Sequence, residues 1–234
     1  PAGILDLPPG FSYQVLQRVG DPMTDGFNAP AAPDGMACFS GNDDSLVVMR
    51  NHEIHEGSPV DAALGFAGNR GGGVTRLVVD RARGTLRSSN FVLTGTSRNC
   101  AGGPSPYGWL SCEEVEEPGH GYVFLCQSSA SKLQAPHRLP ALGRFSHEAA
   151  AFDAKTGITY LTEDASDSAI YRHVPNHTTQ PFVGGELQAL KVSGKDRFTL
   201  AEGLKVGDTF DVEWVSILDP QALKAPTREQ AHNA

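Results

Sequence analysis

Short runs of apolar or alternating apolar and polar residues, each closed off by Gly, Pro, Asn or Asp, recur along the whole chain. Successive strand side chains point to opposite faces of a sheet, so such runs predict β-strands. They fall at residues 13–19, 45–50, 74–80, 91–94, 109–113, 122–126, 148–153, 158–163, 169–173, 187–192 and 212–218. The first is an opening strand followed by a loop, and the one helix candidate is 60–66. Two hairpins repeat a pattern: Leu77-Val78-Val79-Asp80 reaches Gly84, and Ala150-Ala151-Phe152-Asp153 reaches Gly157. In each the Asp can turn the backbone while Gly takes the positive-φ position. The fold class is therefore all-β. Units of strand, turn and strand spaced by roughly 40 residues predict a β-propeller, at about 40–45 residues per blade. A sandwich or a barrel uses the same signals and stays open. No Ser/Gly linker or charge block divides the chain, so residues 1–234 are expected to form a single domain, with 219–234 a loop, linker or cut end.

Composition narrows the partners. The 234 residues include 26 glycines and 16 prolines, which is turn-rich and nearly excludes a helical bundle. The net charge of −8, with no basic run, argues against nucleic acid and against anionic membrane surfaces. No apolar run is long enough for a membrane span, and no charged-then-apolar signal segment opens the chain at Pro1. Cys38, Cys100, Cys112 and Cys126 form no C-x-x-C pair, which argues against a zinc ribbon, and their low density does not suggest a disulfide framework.

Several familiar motifs fail. His52-Glu53-Ile54-His55 is one residue short of the zincin spacing that puts two imidazoles on one helical face. Gly103-Pro104-Ser105-Pro106-Tyr107-Gly108 has its second Gly one position late for a nucleophile elbow. There is no P-loop, dinucleotide fingerprint or EF-hand.

Three clusters survive. The densest runs from Asn99-Cys100-Ala101-Gly102-Gly103 to Trp109-Leu110-Ser111-Cys112-Glu113-Glu114, where a glycine-bearing loop brings a thiol toward a strand ending in two acids. Regular alternation puts Trp109, Ser111 and Glu113 on one face and Leu110, Cys112 and Glu114 on the other, so both acids serve one centre only if the chain turns there. The bland reading makes Cys100 and Cys112 small buried hydrophobes and the acids a solvated strand end. In the second cluster, Gly143-Arg144-Phe145-Ser146-His147-Glu148, the carboxylate of Glu148 lies in line with Ala150 and Phe152. An inward carboxylate is costly unless paired or bound to a cation, which makes Glu148 the best ligand candidate by pattern. Satisfaction by Arg144 or backbone amides is the alternative, and His147 reads as a structural histidine. Third, Asn51 and Glu53 offer oxygens that suit a hard cation, or simply line a polar loop. Hard oxygen donors suit calcium or ferric iron, and a single thiolate among them points to a transition metal.

On these residues the chain resembles the PhoX family of bacterial alkaline phosphatases. The matching motifs are Leu7-Pro8-Pro9-Gly10-Phe11, Asn51-His52-Glu53, Gly71-Gly72-Gly73-Val74, Asn99-Cys100-Ala101-Gly102-Gly103, Trp109-Leu110-Ser111-Cys112-Glu113-Glu114, Gly143-Arg144-Phe145-Ser146-His147-Glu148 and Tyr160-Leu161-Thr162-Glu163-Asp164, in that order. The resemblance implies a six-bladed propeller of which this chain covers part, export to the periplasm or beyond, and a site of ferric iron (Fe3+) with calcium (Ca2+). Carried over by motif, Cys100 is the thiolate iron ligand and Glu148 an iron ligand, Glu113 and Glu114 hold iron or calcium, and Asn51, Glu53, Glu163 and Asp164 extend the set. The family's further glutamate ligand and phosphate-binding arginines, from later blades, have no counterpart here.

The expected activity is hydrolysis of a small phosphate monoester by a monomer, with Cys100, Glu148 and Arg144 as the catalytic group. An acidic pocket repels a phosphate dianion unless bound cations reverse its field. Arg98 or Arg144 is a candidate forked donor to phosphate, or equally a structural partner of nearby acids. Two other readings compete: a calcium-stabilised propeller that only binds, and a calcium-dependent propeller lactonase or esterase, neither of which needs Cys100.

Overall fold

In a computed structural model, which describes residues 5–195, 197–200 and 203–233, twelve strands form three antiparallel sheets. The first sheet is β1 (Pro33–Ser40), β2 (Ser45–His52), β3 (Gly72–Asp80) and β4 (Leu86–Thr96). The second is β5 (Asn99–Ser105), β6 (Gly108–Glu113) and β7 (Val123–Cys126). The third is β8 (His147–Phe152), β9 (Thr159–Glu163), β10 (Ile170–Pro175), β11 (Gly185–Val192) and β12 (Val212–Ser216). Strands in each sheet neighbour one another in chain order, so every sheet is a simple meander. A single turn of 3-10 helix, Pro140–Leu142, and one α-helix, α1 (Thr227–His232), complete the ordered elements.

Alternation along β6 and β7 gives the second sheet two apolar faces. Trp109, Phe124 and Cys126 pack with Val47, Met49, Val74 and Leu93 of the first sheet. Leu110, Cys112 and Val123 pack the other way, with Ala150, Leu161, Tyr171 and Leu187 of the third. Each such side chain contributes about 1.5–3 kcal/mol when fully buried, so the middle sheet is held from both sides. The sheets stack in chain order but do not close into a ring. Among the described residues no helix is long and apolar enough to cross a membrane.

Both repeated hairpins form as their Asp and Gly predict. Gly84 (φ 66°) and Gly157 (φ 76°) donate backbone N–H to the carbonyls of Asp80 and Asp153. The Asp80 carboxylate accepts from the Arg83 amide at 2.9 Å, and that of Asp153 from the Lys155 amide at 2.9 Å.

Five local expectations are corrected. Residues 13–19 join no sheet, and 60–66 is a set of turns in which Asp61 accepts from the Ala63 and Leu64 amides. Two strands went unread: β1 opens with a turn-like Pro33-Asp34-Gly35, and β5 carries Gly102, Gly103 and Pro104. Glycine is required in β5, since a Cβ on Gly103 would run into the Ala150 carbonyl. Residues 219–233 are also no loose tail. Residues 219–226 are loop, as read, but 227–232 form α1, and Thr227 is buried; Ala234 lies outside the described residues.

Candidate metal centre

Cys100, Glu114 and Glu148 each bring one donor atom to a common spot, all three atoms lying within 4.8 Å of one another. Two of the three come from β-bulges. Asn99 pairs with Glu113 and Gly102 with Ser111, so Cys100 and Ala101 together face Cys112. His147 pairs with Glu163 and Ala150 with Leu161, so Glu148 and Ala149 together face Thr162. A bulge breaks the two-residue alternation and re-aims a side chain, a device common beside active sites. Glu114 follows the last residue of β6, and its amide donates to the Arg98 carbonyl at 2.9 Å.

The bulge at Cys100 is held by Asn51. Its Nδ2 donates to the carbonyls of Cys100 (3.1 Å) and Ala101 (2.7 Å), while its Oδ1 accepts from Trp109 Nε1 (2.7 Å) and Ser111 Oγ (2.9 Å). The Cys100 thiol is buried and donates to the His147 carbonyl at 3.3 Å. Burial above all, then the neighbouring Cys112 thiol and the charges of Glu148 and Glu114, pushes its pKa far up, so the sulfur stays protonated while no cation is beside it.

More carboxylates ring the three donors. Asp164, just past β9, shares a hydrogen bond with Glu114, and Glu53, just past β2, adds its charge. Glu114 is pushed up to about 7, first by burial, then by Asp164 and the surrounding negative charge. Glu148 is raised as well, chiefly by burial, with Asp164, Asp34 and Glu53 adding to the effect. Asp34 was not a sequence candidate, because its strand read as a loop; β1 nonetheless lies so close to β5 that a Cβ on Gly35 would sit 2.7 Å from the Cys100 carbonyl oxygen. Two carboxylates thus meet the sulfur, and the charges of Asp34, Glu53 and Asp164 are felt by those carboxylates. Like charges this close favour either protons or a cation, and a thiol with several carboxyl oxygens is a donor set that fits a metal ion.

The remaining candidates are placed elsewhere. Glu113 points to the opposite face from Glu114, as regular alternation requires, and its buried carboxylate is saturated. It accepts from the amides of Ser97 (2.8 Å), Gly121 (2.9 Å) and Tyr122 (3.2 Å) and pairs with His120 Nδ1 (2.8 Å). Asn51 has both amide ends committed, as above, and so supports the cluster without a free donor atom. Glu163 is buried with Arg228 (2.9 Å), Tyr171 Oη (3.1 Å) and the Ala169 amide (3.0 Å). The Arg144 guanidinium donates to the carbonyls of Gln221 (2.8 Å), Ala222 (2.8 Å) and Glu117 (3.2 Å), which leaves no fork for a phosphate. Arg98 is exposed, has φ 47°, and its side chain has no hydrogen-bond or ion-pair partner among the described residues.

Both histidine motifs are structural. His147 stacks on Phe145 with centroids 3.6 Å apart, its Nε2 lies 3.2 Å from the Gly143 carbonyl, and burial lowers its pKa to about 3. His52 ends a strand, bonded to the Ala31 carbonyl (2.7 Å) and Thr75 Oγ1 (2.8 Å).

Stacked antiparallel meanders with a thiol and several carboxyls gathered at strand ends define an all-β protein with a candidate cation-binding centre. The family model for alkaline phosphatase PhoX matches residues 1–90 and 80–234, and the chain belongs to that family. No curated protein and no solved structure matches it.

Proposed function

We propose that this chain takes part in metal-dependent hydrolysis of phosphate monoesters at the Cys100, Glu114 and Glu148 cluster, with Glu53 and Asp164 completing the donor set. The observation that carries the reading is the meeting of one thiol and two carboxylates, from β5, from the residue after β6 and from β8, within 4.8 Å. A metal-free cluster of this kind repels a phosphate dianion. Calcium and ferric iron bound there supply positive charge, polarise phosphoryl oxygens and lower the pKa of water.

The chain's own residues have definable parts. Cys100 and Glu148, each set by a bulge, hold the centre. Glu114, whose pKa is raised by burial and by the neighbouring acids, gives up its proton when a cation arrives. Arg98, at the backbone junction with Glu114, has a guanidinium free to meet the phosphate; Arg144 does not. A small phosphate ester is the substrate class, and export and a monomeric propeller remain part of the proposal through the family resemblance.

Elemental analysis of the purified protein, with turnover of an aryl phosphate before and after chelation, tests the reading. Iron and calcium with chelator-sensitive turnover are expected. Substitution Cys100→Ser is expected to lower iron content and turnover by tenfold or more, on the order of a lost ligand interaction. Full turnover in that variant would overturn the assignment. Calcium without iron, and no hydrolysis, would favour the binding module.

A further inference from the structure

Two acidic segments meet at the cluster, and each carries a second acid that is not among its three donors. Glu116 lies two residues beyond Glu114, and Glu163 immediately precedes Asp164. Both second acids meet one cation, Arg228 of α1. Its Nη1 lies 2.7 Å from Glu116 Oε2 and 2.9 Å from Glu163 Oε1, and its Nε lies 3.2 Å from Asp167 Oδ1. The Glu163 carboxylate is fully buried, and its other oxygen accepts from Tyr171 Oη (3.1 Å), which is itself 3.0 Å from Thr227 Oγ1.

The segment bearing Arg228 is anchored independently. Arg144 holds the carbonyls of residues 220–222 through its amide and guanidinium, and Gln230 Nε2 closes the loop onto the carbonyls of Asp219 (2.8 Å) and Ala225 (3.0 Å). Arg228 is therefore a fixed point against which two mutually repelling strand ends are drawn. Charge-assisted pairs of this kind are the strong ones, and a buried carboxylate robbed of its partner is strongly unfavourable.

We infer that Arg228 is a positioning residue of the cation centre: by bridging Glu116 and Glu163 it sets the separation of Glu114 and Asp164. This rests on the cation-centre reading above. It makes a prediction whose sign differs from simple electrostatics. Removing a positive charge near a cation site should tighten cation binding through the long-range field. Removing a positioning residue should weaken it, by about tenfold or more.

The test uses the full chain, stripped of metal by chelation, as parent, Arg228→Gln and Arg228→Lys. Calcium is titrated by calorimetry, the iron content of each protein as expressed is measured, and circular dichroism checks folding. Calcium binding at least tenfold weaker in Arg228→Gln, less iron, and partial recovery in Arg228→Lys are expected. Should Arg228→Gln fail to fold, Arg228→Lys decides, since it keeps the charge but not the fork: weaker binding supports the inference and parent affinity overturns it. Parent-like or tighter binding in a folded Arg228→Gln also overturns it. A parent that takes up neither ion sinks the cation-centre reading and this inference together, a result distinct from metal binding that the substitutions leave unchanged.

Discussion

Asn51 shows how a residue with ligand-type atoms can have all of them committed to the fold. Its four hydrogen bonds tie β2 to both residues of the Cys100 bulge and to two side chains of β6. Asn51→Asp keeps the shape but sets a buried carboxylate against two carbonyl oxygens. It is expected to lower stability by about 2–4 kcal/mol in urea titrations, and to weaken metal binding. A true ligand would respond the other way, with tighter calcium binding. His173 governs a different property. It is buried and its pKa is lowered to about 4, chiefly by burial. The folded chain resists the proton that the unfolded chain accepts near 6.5, so its contribution is complete above that pH and is lost as the pH falls toward 4. The span amounts to about 3 kcal/mol. Urea midpoints at pH 8, 6 and 4.5 are expected to fall for the parent and to fall less for His173→Gln.

At the scale of elements, the bulges in β5 and β8 decide the site. Their close approach depends on Gly103, and Gly103→Ala is expected to cost about 2–4 kcal/mol and to reduce iron content, as thermal unfolding and elemental analysis would record. Most strands were legible because their apolar residues alternate, and the same rule placed Glu113 and Glu114 on opposite faces of β6. The Asp-to-Gly hairpins were legible because the turn chemistry is local. What escaped was non-local. β5 reads as a loop since its Gly103 answers to Ala150, a residue distant in sequence. β1 reads as a loop since its residues are exposed or only half-buried, with little apolar pattern. The role of residues 219–233 depends on acids more than 50 positions away, as the pairing of Arg228 with Glu163 and Glu116 makes plain. Arg144 and Glu163 were sound as motif matches, but a motif carries no information about which partner a side chain finds.

At the scale of the molecule, no single sheet owns the centre. Asp34 and Glu53 come from the first sheet and its margin, Cys100 and Glu114 from the second, Glu148 and Asp164 from the third. A cation held there binds the folded state and not the unfolded one. A hundredfold excess over Kd stabilises by about 2.7 kcal/mol, and at about 2–4 °C per kcal/mol for a chain of this size chelation is expected to lower Tm by roughly 5–10 °C. Scanning calorimetry with and without chelator checks this, and an unchanged Tm would count against occupancy. The division of donors among three sequence-local meanders also fixes an order in time. Each meander needs only its own stretch of polypeptide to zip up, whereas the sulfur and the acids become neighbours only when the last of the three docks. Cation capture is therefore expected to close maturation rather than seed it, and during refolding an iron–thiolate absorption band should rise after tryptophan fluorescence has already reached its plateau.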